Sequence, residues 1–181
     1  MISNKLQKKN FWNLSILTLL FIFVCVAIAS VSVHARKYGI KYRKDIERIA
    51  NEVGIESNLV MAICKTESSF RSSVVSKANA IGLMQILPST AEWVCEQNGL
   101  DYSYEKLFDY EFNAKVGCFY LKYLQNKFPF EWAIVAYNAG ENKVSEWIDR
   151  GLDVDEIPYK ESREYLKKVL ANRKYYNFLF N

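Results

Sequence analysis

Glu67 stands where a carboxyl group can keep a proton. The spacing around it predicts a helix from about Leu59. On that helix Val60, Ile63, Cys64 and Glu67 fall at i, i+3, i+4 and i+7, so the acid projects from the stripe that carries the apolar residues. Partial removal from water disfavours the anion, raises the pKa and suits a general acid. An apolar stripe that simply ends before a solvated carboxylate is the other reading, and this helix alone leaves it open. Tyr137 and Asn138 lie between small residues in Ala136-Tyr137-Asn138-Ala139-Gly140, a run suited to close backbone packing with polar tips toward a ligand. A buried Tyr with a satisfied hydroxyl is the plainer alternative there. Gln85, between Met84 and Ile86, must find hydrogen-bond partners if buried, from backbone or from the amides of a ligand. The single His34 and four Cys without a CxxC pair exclude a zinc site of ordinary spacing.

The elements that must position these residues read as helices nearly throughout. Apolar residues recur at three- and four-residue spacing in Ile46/Ile49/Ala50/Val53, Leu59/Val60/Ile63/Cys64, Val116/Phe119/Tyr120/Tyr123/Leu124 and Trp132/Val135/Ala136/Ala139. Period-two alternation is absent, so the expected fold class is all-α. Ser57 and Asn58 are candidate caps for the helix near Leu59, Pro88 opens another, Asn113 precedes a third, and Gly99, Gly140 and Gly151 mark ends. Residues 71–87 break the pattern as an irregular stretch ending in Gly82-Leu83-Met84-Gln85-Ile86-Leu87. A loop of that length inside a compact domain marks a functional segment.

Charge divides the chain. The 24 Lys and Arg outnumber the 20 Asp and Glu, yet no acid precedes Asp45. The first 44 residues carry +8 through Lys5, Lys8, Lys9, Arg36, Lys37, Lys41, Arg43 and Lys44, which leaves residues 45–181 net acidic. With no Lys/Arg stripe in the remainder, nucleic acid is excluded as a main partner. From Phe11 to Val33 no residue is charged, and the run is long enough to cross a bilayer as a helix. The expected organisation is a short basic cytoplasmic tail (1–10), a transmembrane anchor (11–33), a basic linker (34–44) and a catalytic domain (45–181). That makes a single-pass protein of the cell membrane with its domain outside. A cleaved signal peptide ending near Val33-His34-Ala35 is the rival, and it also exports the domain. Cys25 falls in the apolar run, while Cys64, Cys95 and Cys118 read as small core residues, with a Cys95–Cys118 bridge as the alternative in an oxidising compartment.

Several blocks occur in order: Glu67-Ser68; Gly82-Leu83-Met84-Gln85 with Pro88 and Thr90-Ala91; Asn113 ahead of Gly117 and Tyr120-Leu121; and Ala136-Tyr137-Asn138-Ala139-Gly140. Together they resemble the soluble lytic transglycosylase family over most of Asp45 to Tyr175. Ile157-Pro158-Tyr159-Lys160-Glu161-Ser162-Arg163-Glu164-Tyr165 looks like a further, weaker block. The resemblance implies a lysozyme-like α-helical fold, needing no cofactor or metal, that cleaves the β-1,4 bond between N-acetylmuramic acid and N-acetylglucosamine and leaves a 1,6-anhydro end. It implies Glu67 as the sole acid/base. Ser76, Gln85, Tyr137 and Glu161 are implied to contact the glycan or orient the acid, with Ser68 and Asn138 in support. Tyr137 is expected to hydrogen-bond near the acid or the substrate's N-acetyl group. Ile81 and Ser162 depart from the family's usual small or hydroxylated residue and Thr. Peptidoglycan glycan strands, the membrane through the N-terminal helix, and a cell-wall or secretion assembly are the implied partners. A muramidase that adds water and a non-catalytic glycan-binding scaffold module are the competing readings.

Overall fold

A computed structural model describes residues 2–180, with the side chains of 2–15, 34, 36 and 37 outside the description. The chain divides into two units, Met1–Tyr38 and Gly39–Asn181. The first is one helix, α1 (Ile2–Lys37), whose stretch Ile16–Val33 is long and apolar enough to cross a membrane and has none of its surface buried. The large apolar side chains described along this stretch are exposed. The basic tail expected at 1–10 lies outside the residues whose side chains are described.

The second unit packs seven helices: α2 (Arg43–Val53), α3 (Ser57–Glu67), α4 (Pro88–Asn98), α5 (Tyr110–Lys127), α6 (Phe130–Ala139), α7 (Glu141–Asp149) and α8 (Lys160–Phe180). Short 3-10 turns at Ile40–Tyr42, Glu105–Phe108 and Val154–Glu156 complete it, and no strand occurs among the described residues. The centre is α3. Every residue from Asn58 to Cys64 is buried, so this helix has no solvent face where an amphipathic stripe was expected. It lies against α8, while α2 packs on α5 and α6 bridges α5, α7 and α8.

The ends of the elements correct several expectations. Neither Ser57 nor Asn58 caps α3: Glu56 is its N-cap, and buried Asn58 instead accepts from Arg43 Nη1 at 2.7 Å and donates to Asn177 Oδ1 at 2.8 Å. Asn113 does not precede α5 but sits in its first turns, the cap being Asp109, whose carboxylate accepts from the Phe112 amide at 2.8 Å. Pro88 opens α4 and Gly99 closes it in the left-handed region, φ 63°, as the spacing indicated. The compact unit also begins earlier than Asp45. Tyr42, from the expected linker, is buried with its ring against Tyr110 and Phe70, centroids 4.9 and 6.1 Å away.

All three domain cysteines are buried and free. The Cys95–Cys118 alternative is not formed in this structure, where both thiols are free.

Candidate active site

Glu67 is the last residue of α3, and the route by which it reaches the surface is set by that helix. Burial of Asn58–Cys64 fixes α3 in the core, and the chain leaves it through Ser69 and Phe70, both in the left-handed region with φ 51° and 63°. The carboxyl group is therefore half-buried at the end of an apolar rod. Burial pushes its pKa from the ordinary 4.5 up to about 7, opposed by the Tyr165 hydroxyl, which donates to Oε1 at 2.7 Å and favours the anion. No other carboxylate acts on it among the described residues. Tyr165 comes from α8 and is itself buried; its own pKa is raised by desolvation first and by the neighbouring Glu67 charge second.

The loop at 71–87 is held against this site by groups from α5, from α6 and from the residue that caps the end of α3. Asn113 on α5 donates from Nδ2 to the Ile81 and Leu107 carbonyls, both at 2.9 Å, and its Oδ1 accepts from the Met84 amide at 2.8 Å. Ser68 donates to the Leu83 carbonyl at 2.7 Å and accepts from the Arg71 amide at 3.2 Å, so its buried hydroxyl is spent on the backbone. Tyr137 on α6 donates to the Met84 carbonyl at 3.0 Å. Two glycines permit the approach. A Cβ at Gly82, where φ is 80°, would meet the Asn113 amide and the Leu107 carbonyl, and one at Gly117 would meet the Met84 sulfur.

Gln85 adopts φ 52° and donates from Nε2 to the carbonyls of Gly82 and Val74 at 3.0 and 3.1 Å. A left-handed non-glycine residue is costly and persists where its surroundings over-determine it, as these bonds do. Ser76 accepts from the Ala80 amide at 3.0 Å and closes the loop's own turn. Asn138 accepts from Ser162 Oγ at 3.0 Å, which gives the Thr-to-Ser departure a partner. Glu161 lies exposed on the first turn of α8.

A cavity of about 210 Å³ collects Gln85, Thr90, Tyr120, Tyr137 and Asn138. Glu67, Ser76 and Glu161 do not line it, while Tyr137 is within electrostatic reach of Glu67. Tyr137, expected to hydrogen-bond near the acid or the substrate's N-acetyl group, donates to the Met84 carbonyl, and the hydroxyl bonded to Glu67 belongs to Tyr165. Its signal was present, since Tyr165 closes the weak C-terminal block, but nothing local says that a residue 98 positions away will face Glu67. Asn113, marked as a helix start, proves to be the loop's clamp. An acid poised near neutrality beside a cavity of amides and phenols can protonate a leaving oxygen and later accept a proton.

Known proteins share this sequence pattern and fold. Residues 45–159 match the Transglycosylase SLT domain family. The chain is 33% identical to a soluble lytic murein transglycosylase of Escherichia coli K12, over 78% of this chain and 24% of that protein. It is 35% identical to membrane-bound lytic murein transglycosylase C of Haemophilus influenzae, over 93% of this chain and 48% of that protein. The crystal structure of an inactive Glu-to-Gln mutant of lytic transglycosylase Slt from Pseudomonas aeruginosa superposes with a TM-score of 0.75 at 29% identity, covering 80% of this chain and 25% of that one. The chain thus spans between a quarter and a half of the relatives it matches.

Proposed function

Because the chain belongs to the Transglycosylase SLT domain family, we propose that it is a peptidoglycan lytic transglycosylase in which Glu67 acts first as acid and then as base. The observation that carries this reading is a half-buried carboxyl group whose pKa burial raises to about 7 and whose hydrogen-bond partner among the described residues is the Tyr165 phenol and not a second carboxyl group. Glycosidases that add water ordinarily need two carboxyl groups, and substrate-assisted families do not. Glu67 protonates the glycosidic oxygen between N-acetylmuramic acid and N-acetylglucosamine as the C1–O bond breaks. The substrate's own acetamido oxygen stabilises the cation left at C1. Glu67, now a carboxylate, takes the proton of the C6 hydroxyl as that oxygen bonds to C1, which closes the 1,6-anhydro ring and returns the acid to its starting state. No water is consumed.

Tyr165 steadies the carboxylate through the middle of this cycle. Gln85, Tyr137 and Asn138 line the adjoining cavity and are assigned to the glycan. Ser68 acts through the loop it holds, Ser76 through the turn it closes, and Glu161 from the exposed rim. The apolar stretch of α1 is assigned as a membrane anchor with the domain outside, in keeping with Lys5, Lys8 and Lys9 ahead of that stretch and with the name of the membrane-bound relative.

Mass spectrometry of the products from purified murein tests the reaction. Anhydro-terminated muropeptides are expected. Reducing ends carrying an added water would make the protein a muramidase, and equal product from Glu67→Gln would leave only a binding module.

A further inference from the structure

The cleft does not end at the cavity beside Glu67. Thr90 lines both that cavity and a shallower depression formed with Ser89, Trp93 and Glu141, and Trp93 passes on into a groove of about 280 Å³ between α4 and α5. An unbroken series of rings follows the same course. Tyr137 lies 5.5 Å from Tyr120, Tyr120 stacks 6.5 Å from Tyr123, and Tyr123 meets Trp93 edge-on at 4.8 Å.

We infer that this outer groove is a distal subsite for the same glycan strand, binding pyranose rings remote from the bond that is cut. The inference rests on the glycan reading of the cleft. Thr90, Trp93 and Gln97 stand at i, i+3 and i+7 on α4 and so share one face. They span about 10 Å of helix, room for one or two further sugar rings. Trp93 is 37% exposed and offers an apolar face to the C–H face of a sugar. The amides of Gln97 and Asn126 line the groove and make no hydrogen bond within the described residues, leaving donors and acceptors for hydroxyl or acetamido groups. Glu141, in the depression between, accepts from Tyr123 Oη at 2.7 Å and is paired with Lys127 Nζ at 2.6 Å, while the Lys122 ammonium in the groove donates to the Gly54 carbonyl at 2.9 Å and keeps its charge. Aromatic faces and free amides suit the C–H faces, hydroxyls and acetamido groups of a sugar.

The test uses the full chain in detergent, carrying Glu67→Gln so that the probe survives, titrated by calorimetry with chitohexaose and with chitotriose. The hexaose is expected to bind about tenfold more tightly, and Trp93→Ala to abolish that advantage. Gln97→Ala with Asn126→Ala, both on exposed positions, should reduce it about threefold at an unchanged melting temperature. That pair decides the matter if Trp93→Ala lowers the melting temperature. An advantage for the hexaose that survives these changes, or its absence in the chain with Trp93 intact, overturns the subsite. Cleavage of murein by the wild-type chain reports separately on the reading beneath. Cleavage with Trp93-independent binding overturns the subsite alone, and Trp93-dependent binding without cleavage upholds the subsite and overturns the enzyme.

Discussion

Glu67 and Tyr165 form a pair with opposite effects on one proton. Burial holds the proton on, and the phenol favours its departure. Tyr165→Phe is therefore expected to shift the alkaline limb of the pH–rate profile above about 7 and to lower kcat, with KM little changed. A purely structural role for Tyr165 would lower activity without moving that limb. Stability follows the same proton. Because the folded pKa exceeds the ordinary 4.5, the folded state binds the proton more tightly than the unfolded chain. Stability from this group is greatest below pH 4.5 and declines as pH rises toward 7. At roughly 1.4 kcal/mol per pH unit, the loss reaches about 3 kcal/mol above neutrality. Glu67→Gln should therefore raise the unfolding free energy obtained from urea denaturation at pH 8 by about that much and leave it nearly unchanged at pH 4, while abolishing turnover.

At the scale of elements, the loop 71–87 depends on helices that are distant in sequence. Asn113 bonds one amide and two carbonyls that are buried with it, the Ile81 carbonyl also accepting from the Ile86 amide at 3.0 Å. Asn113→Ala leaves the Met84 amide and the Leu107 carbonyl without those partners, at an expected cost of about 3 kcal/mol in chemical denaturation. Gly117→Ala acts differently, by driving a methyl group into the Met84 side chain. Overpacking of that kind costs about 1–3 kcal/mol. It also displaces the residue whose carbonyl receives Tyr137, so kcat should fall further than stability alone explains, as an assay at a temperature where the variant remains folded would show.

For the whole molecule, the division at Tyr38 makes the second unit a candidate for independent folding. A fragment of residues 39–181 is expected to be soluble and to melt cooperatively. A fragment of residues 45–181 should be less stable by about 2 kcal/mol, since it lacks the buried ring of Tyr42. It also lacks the Arg43 donor that satisfies Asn58. Thermal unfolding of the two fragments side by side measures the difference.

Helical periodicity, the separation of charge and the apolar run were legible because they are local properties of the chain. An all-α fold follows from spacing of three and four, and Phe11–Val33 identifies itself by length and lack of charge. The candidate acid was legible as well, through a Glu at the end of an apolar helix, although that helix alone left a solvated carboxylate open as the other reading. Its surroundings were not. Whether α3 is half-exposed or fully enclosed depends on α8 and the other helices that cover it, and no pattern within its own residues records that contact. Asn58 and Asn113 read as caps because amides favour helix ends, but burial gave them partners from distant segments that outweigh a local cap. Sequence determined which residue could hold the proton. Only the packing of α8 against α3 decided which phenol touches it, because that pairing joins residues 98 positions apart.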